Sequence, residues 1–182
     1  MFKLTIPKAE LYNSQTNEFI NVKEPINLSL EHSLVSISKW ESKWKKSFLS
    51  TKNKTREETL DYIRCMTLNQ TIPPEYYECI SGVDIKRLND YINDPMTATT
   101  FPEDNNKKGG VPKIITSEQI YSWMVQYGIP FECQKWHLAR LMVLIRICAA
   151  ANQPAKKMSA KELAERNRRI NRARRAALHS KG

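Results

Sequence analysis

Glycine, cysteine and histidine are scarce in this chain of 182 residues, and their scarcity argues against several common kinds of site. Of the five glycines, only Gly109 and Gly110 are adjacent, and neither GxGxxG nor GxxxxGK[ST] surrounds them, so the usual phosphate-binding loops are absent. The four cysteines form no CxxC pair, which excludes a zinc ribbon or thioredoxin-type motif. The three histidines belong to no HExxH or GxSxG pattern.

Long hydrophobic runs are also lacking. The longest apolar stretch, residues 138–151, is too short to cross a bilayer and contains Arg140 and Arg146. The first residues, MFKLTIPKAE, lack the basic region followed by an apolar region that marks a signal peptide. We therefore expect a soluble intracellular protein with reduced cysteines and no membrane partner.

Positive charge is abundant, but it is concentrated in one part of the chain. The net charge is +10, and residues 155–182 hold ten lysines and arginines against two glutamates, which gives +8. Residues 1–154 therefore carry only +2. A charge distribution of this kind indicates that the last 28 residues meet a polyanion or an acidic protein surface.

The hydrophobic pattern predicts an α+β protein that is predominantly helical. Phe2, Leu4 and Ile6 alternate with polar residues, as in a strand, and residues 10–13 and 17–22 flank a polar turn, which indicates a hairpin. Residues 26–30 alternate again. We predict a small N-terminal β unit over 1–30, a helical body over 31–154 with a long loop at 94–113, and a basic helical tail over 155–182.

Helix signals recur through the body and the tail. Leu34, Ile37, Trp40, Trp44 and Phe48 are spaced by three or four residues, which predicts one helical face. Aromatic residues at this spacing usually form core, although interleaved lysines leave nucleobase stacking as an alternative. Further helices are expected near 75–80, 84–93, 117–127 and 131–151. Capping boxes are expected at three helix starts: Thr55 with Glu58, Thr116 with Gln119, and Ser159 with Glu162.

Residues with catalytic or metal-binding chemistry are few. Cys133 and His137 are four residues apart on the predicted helix 131–151, where they would share a face as half a metal site or as a nucleophile and base. No second pair of ligands and no third orienting group can be named, so we favour a structural role for both. The sequence predicts no catalytic residue, no metal site and no cofactor, and therefore a protein that is not an enzyme.

The basic tail is the strongest candidate for a binding site. Leu163, Ile170 and Ala177 are spaced by seven and form the only apolar seam of the predicted helix. The tail is a solvated extension, an arm for nucleic acid phosphates, or a helix that docks in an acidic groove of another protein. The candidate binding residues are Leu163, Arg166, Arg168, Arg169, Ile170, Arg172, Arg174 and Arg175.

Two long stretches resemble small proteins encoded in the structural gene clusters of tailed bacteriophages. They are EHSLVSISKWESKWKKSFL (31–49), followed by EETLDYIRCMTL (57–68), and ITSEQIYSWMVQYGIPFECQKWHLARLMVLIRICAAANQPAKKMS (115–159). Members of that group are commonly described as tail assembly chaperones or virion-morphogenesis proteins. The resemblance covers about two-thirds of the chain and carries no catalytic residues with it.

The resemblance implies a viral protein with a non-enzymatic, partner-binding role. The favoured hypothesis is a phage tail assembly factor that acts like a chaperone and binds another structural protein, such as a tape measure or tail tube subunit. The alternative is a nucleic-acid-associated virion component at the capsid or neck that uses the basic tail on DNA. Either role implies a location in the host cytoplasm during phage assembly, or in the virion.

Overall fold

The computed structural model describes residues 1–13, 17–69, 71–100, 114–152 and 160–178. Its architecture is α+β and predominantly helical, with a small antiparallel strand unit at the N-terminus, so the predicted fold class is confirmed. The chain divides into two compact units, Met1–Cys148 and Ala149–Gly182. Among the described residues, no helix is long and apolar enough to cross a membrane.

Four strands near the N-terminus form two antiparallel pairs. They are β1 (Phe2–Ile6), β2 (Ala9–Asn13), β3 (Glu18–Val22) and β4 (Ile26–Leu30). β1 pairs with β4, with Leu4 opposite Leu28, and β2 pairs with β3, with Leu11 opposite Ile20. Alternate residues of β1 and β4 face the core, as the pattern predicts: Leu4, Ile6, Leu28 and Leu30 are buried, and Phe2 and Ile26 are partly buried. The predicted hairpin and the additional strand are both confirmed, and the turn at 14–16 lies outside the described residues.

Helices account for most of the remaining described chain. The α-helices are α1 (Leu34–Trp44), α2 (Arg56–Met66), α3 (Gly82–Asn93), α4 (Ser117–Gln126), α5 (Leu138–Ala151) and α6 (Ala160–Ala177). Two 3₁₀ helices, Pro74–Cys79 and Phe131–Lys135, precede α3 and α5. The helices predicted near 75–80, 84–93 and 117–127 are confirmed. Residues 94–100 form neither helix nor strand, and the rest of the predicted loop lies outside the described residues.

The aromatic face of α1 lies in the core, but the helix is shorter than the periodicity indicates. Trp40 is fully buried and Phe48 is 8% exposed. The helix ends at Trp44, because Lys45 adopts a left-handed conformation with φ of 55°. The backbone N–H of Phe48 then donates to Glu41 Oε1 at 2.8 Å. The interpretation of these rings as core is confirmed, while continuation of the helix to Phe48 is wrong.

Two predicted helix starts behave differently. At α2 the capping box is confirmed, because Glu58 N donates to Thr55 Oγ1 and Thr55 N donates to Glu58 Oε2. At α4 the capping box is wrong, because the side chain of Thr116 makes no capping bond. The first N–H of that helix, on Ser117, instead donates to Glu41 Oε2 at 2.7 Å. One buried carboxylate on α1 thus holds both its own C-terminal turn and the start of α4.

The single helix predicted over 131–151 is also wrong, because the chain is interrupted before α5. Trp136 has extended backbone between the 3₁₀ helix Phe131–Lys135 and α5. There His137 forms a β-bridge with Ser33, and Leu138 N donates to His32 O at 2.7 Å. An α-helical backbone at 136–137 would forfeit this pairing with the start of α1. The bridge therefore joins the last helix of the first unit to the end of its strand region.

The core of the first unit lies where the two strand pairs meet the helices. Strands and helices both contribute fully buried side chains to this core, including Leu30, Ile37, Met66, Ile120 and Leu141. On α5, Leu138 and Ile145 are also buried, whereas Met142 and the preceding Trp136 are only partly buried. The apolar face of α5 that carries Leu138, Leu141 and Ile145 therefore lies in the core, and Met142 at the edge of that face is partly exposed.

Candidate partner-binding site

Helix α6 is the element that carries all eight residues predicted to bind a partner. It runs over 18 residues rich in alanine and arginine, which both favour helix. Arg174 and Arg175 lie in its last turn, where they interact favourably with the negative end of the helix dipole. Ser159 lies outside the described residues, so the third predicted capping box stays a prediction.

The helix has two distinct faces. At about 100° per residue, Leu163 and Ile170 project within about 20° of each other, and Arg166 and Arg174 flank them. We call these four residues the α6 seam. Leu163 is 49% exposed and Ile170 is 37% exposed, which is high for aliphatic side chains at helical spacing.

The opposite side of α6 is cationic. Arg168, Arg172 and Arg175 succeed one another at spacings of four and three residues, and we call them the α6 arginine face. Arg169 lies between the two faces. The described helix, including Leu178, carries seven positive and two negative side chains, a net charge of +5. The seam suits a groove that is apolar at its centre and acidic at its edges, whereas the arginine face suits a row of phosphates.

Cys133 and His137, which were predicted to lie on one face of a helix, do not share a helix face. Cys133 lies in the 3₁₀ helix Phe131–Lys135, and His137 lies in the extended break before α5. His137 Nδ1 accepts from Ala139 N at 3.3 Å, so this side chain helps to cap α5. Within the described ranges, no three His, Cys, Asp or Glu side chains form a group that could hold a metal ion.

A cluster of buried polar rings surrounds His137 instead. Its ring centroid lies 5.1 Å from that of His32, which is 4% exposed, and 5.0 Å from that of Tyr91. His32 Nδ1 is 2.6 Å from Tyr62 Oη, and His137 Nε2 is 3.1 Å from Tyr91 O. Burial, with help from the charges of His137 and Lys54, lowers the pKa of His32 to about 3. His32 is therefore a neutral ring at physiological pH.

A cleft of about 710 Å³ opens beside this cluster, between α2, α3 and α5. We call it the α2–α3–α5 cleft. His32 and Tyr62 form part of its wall, and Lys52 and Lys54, in the segment after Phe48, contribute two cations. Burial lowers the pKa of Lys54. Sequence analysis missed this cleft, because its lining comes from segments up to 110 residues apart and no local motif marks it.

Lysines around the α1 tryptophans serve the fold. Trp40 Nε1 donates to Glu58 O at 2.9 Å, and Trp44 Nε1 donates to Asp61 Oδ2 at 2.9 Å. Lys43 also pairs with Asp61, at 2.8 Å. Although burial raises the pKa of Asp61, hydrogen bonds from Lys43, Trp44 and Arg64 outweigh it and leave that pKa lowered. The ring of Trp40 is thus fully buried, and the partly buried ring of Trp44 is held by Asp61.

Comparison with known proteins identifies no relative. No family model, curated protein or solved structure matches the chain.

Proposed function

We propose that this protein is a non-enzymatic phage tail assembly factor that binds another phage structural protein through the α6 seam. The observation that carries the proposal is the exposure of Leu163 and Ile170 on one side of a continuous helix. A purely electrostatic arm needs no aliphatic residues at a spacing of seven. A helix that docks in a groove needs them as its central anchors.

The charges beside the seam agree with a protein partner. Arg166 and Arg174 lie at its edges, where a partner's carboxylates would surround the buried aliphatic contacts. Arginine is enriched at protein interfaces, because its planar guanidinium forms two hydrogen bonds to a carboxylate. The expected partner surface is therefore an apolar groove with an acidic rim.

The phage context of the proposal comes from the resemblance of residues 31–49, 57–68 and 115–159 to small virion-morphogenesis proteins. This resemblance favours a tape measure or tail tube subunit as the partner, which the protein would bind in the host cytoplasm during assembly. The absence of recognisable catalytic motifs in the sequence agrees with a binding role, since such a factor needs only a surface.

A second candidate function has its own observation. The α6 arginine face places Arg168, Arg172 and Arg175 in a row with no aliphatic residue among them. Such a row can neutralise DNA phosphates and release counterions, as a virion component at the capsid or neck would. The two candidate functions use opposite sides of one helix, so substitutions can separate them.

The test compares two full-length variants. Leu163→Ser with Ile170→Ser removes the seam, and Arg168→Gln, Arg172→Gln and Arg175→Gln removes the arginine face. We expect the serine variant to lose binding to purified tape measure or tail tube protein in calorimetry, and the glutamine variant to retain it. Ala164→Ser with Asn171→Ser is the matched control, because it puts two serines at the same spacing but off the seam.

DNA binding is measured in parallel by anisotropy on a labelled duplex of random sequence. If α6 serves DNA, affinity falls steeply with salt, with a log–log slope of about −0.9 per phosphate contacted, and the glutamine variant flattens that slope. Full binding of the serine variant to the partner protein, together with loss of DNA binding in the glutamine variant, would contradict the assembly-factor role.

A further inference from the structure

We propose that the α2–α3–α5 cleft is a second binding site, which takes a segment of a partner polypeptide with a large apolar side chain and a nearby carboxylate. All residues that line the site belong to the unit Met1–Cys148 and none belongs to α6, so the inference does not depend on the function proposed for α6. Three features of the cleft point to this occupant: its apolar wall, the partly buried ammonium of Lys54 and its amide rim.

The wall accepts an apolar side chain. Ile85, Leu88 and Ile92 of α3 line the cleft together with Leu138 and Met142 of α5. Ile85, Ile92 and Met142 are only partly buried, so this apolar surface is incompletely covered in the protein alone. A volume of about 710 Å³ is within the range of sites for small ligands and holds several large side chains.

The charged side chains that line the cleft are positive and would attract an anion. Lys52 and Lys54 line it, and none of the described lining residues is a carboxylate. The ammonium of Lys54 donates to Thr51 O at 2.8 Å and lies 4.1 Å from the centroid of the Phe48 ring, both of which are neutral. By contrast, Lys46 of the same region forms an ion pair with Glu58 at 2.6 Å.

Partial burial makes Lys54 favour a ligand that carries a carboxylate. Loss of hydration lowers the pKa of Lys54, and the charge of Glu58 only partly opposes that effect. A carboxylate brought into the cleft would replace the lost hydration by a charge-assisted hydrogen bond. His32 does not compete for it, because that ring is neutral and already bonded to Tyr62.

The rim indicates a polypeptide as the occupant. Asn89 and Asn93 line the cleft one turn apart on α3, and both are exposed. Asn93 Nδ2 donates one N–H to Asn89 O at 2.8 Å, so Asn93 offers a ligand its side-chain oxygen and its second N–H. A side-chain amide donates and accepts hydrogen bonds in the same pattern as a peptide unit, so it can pair with the main chain of an extended segment. A fatty acid would satisfy the apolar wall and Lys54, but it would leave the rim amides without that pairing.

The test begins with a random nonapeptide library displayed on filamentous phage and selected on the immobilised full-length protein. We expect enrichment of peptides that combine Leu, Phe or Trp with a neighbouring Asp or Glu. A fluorescein-labelled consensus peptide is then titrated by anisotropy. Replacing its acidic residue by the amide should weaken binding about tenfold, the change that loss of one ion pair worth about 1.4 kcal/mol produces.

Variants place the peptide on the molecule. Ala139→Phe fills the cleft from α5, and Lys54→Met removes the cation while keeping an unbranched apolar side chain. Each should weaken the consensus peptide about tenfold or more, and Lys54→Met should abolish the preference for the acid over the amide. Lys86→Met is the matched control, since Lys86 is exposed on α3 and does not line the cleft.

Several outcomes would overturn the proposal. They are a selection that enriches nothing, peptides that bind Ala139→Phe as well as the parent, and an unchanged acid preference in Lys54→Met. Circular dichroism melts show whether the variants fold. If Ala139→Phe does not fold, Lys54→Met still tests the proposal. The variant with serines at 163 and 170 should bind the peptide normally, so failure of the cleft and failure of the α6 proposal are distinguishable.

Discussion

The buried ring of His32 predicts that the protein loses stability on mild acidification, before its carboxylates titrate. In the folded chain the pKa of His32 is about 3, because burial and the charges of His137 and Lys54 disfavour the imidazolium. In the unfolded chain the same ring has its ordinary pKa of 6.5. Above pH 6.5 both states hold a neutral ring, and the free energy of unfolding is unaffected. As pH falls from 6.5 towards 3, only the unfolded state takes up the proton.

The magnitude follows from the separation of the two pKa values. Each pH unit below 6.5 costs about 1.4 kcal/mol of unfolding free energy until the folded ring titrates. At pH 5 the loss is therefore about 2 kcal/mol, a large part of the stability of an ordinary domain. Glu58 and Asp61 have lowered pKa values in the folded chain, so the stability that they contribute is lost only as pH falls through their ordinary values of 4.5 and 3.8. Between pH 6.5 and pH 5 the loss assigned to His32 is therefore not masked by these two carboxylates.

His32→Asn is the perturbation that isolates this effect. The asparagine side chain can form a hydrogen bond with the hydroxyl of Tyr62 in place of Nδ1, but it takes up no proton. Urea unfolding gives the free energy of unfolding of the parent and of the variant, and the difference between the two proteins is taken at pH 7 and again at pH 5. We expect the difference to shift by about 2 kcal/mol in favour of the variant at pH 5. Parallel pH profiles of the two proteins would refute the reasoning.

Two further predictions concern packing and helix starts. Leu141 is fully buried, so Leu141→Ala should cost about 2–5 kcal/mol in urea unfolding, and an unchanged midpoint would show that α5 is not core. Glu41→Ala removes the acceptor of Phe48 N and Ser117 N and should cost about 3 kcal/mol. Glu41→Gln keeps one acceptor oxygen but turns its NH2 donor toward the other backbone N–H, so it should also lose stability. An unchanged midpoint in Glu41→Ala would show that the carboxylate does not hold the two N–H groups.

Local signals predicted the local parts of this fold. The strand alternation of Leu4 and Leu28, and the capping box of Thr55 with Glu58, depend on residues within one element, and the structure confirms them. The predicted box at Thr116 is wrong for the converse reason. Glu41, 76 residues earlier in the chain, supplies the bond that caps α4, and no pattern around Thr116 records it.

The same distinction applies to the candidate sites. The α6 seam was visible in the sequence because Leu163 and Ile170 are on one helix, where a spacing of seven defines a shared face. The α2–α3–α5 cleft was not visible, since Lys54 and Met142 become neighbours only when the helices pack. The interrupted helix before α5 was missed similarly, because the pairing of His137 with Ser33 is a long-range contact.

That long-range contact has a consequence for synthesis on the ribosome. The bond from Leu138 N to His32 O joins positions 106 residues apart, so the core cannot close until α5 has emerged. At about 5–20 residues per second, roughly 5–20 s separate the emergence of the two partners. During that interval Ser33, at the start of α1, lacks the β-bridge to His137 that joins it to the start of α5. Substitutions that weaken the junction should therefore reduce soluble yield during expression more than they reduce the stability of the purified protein.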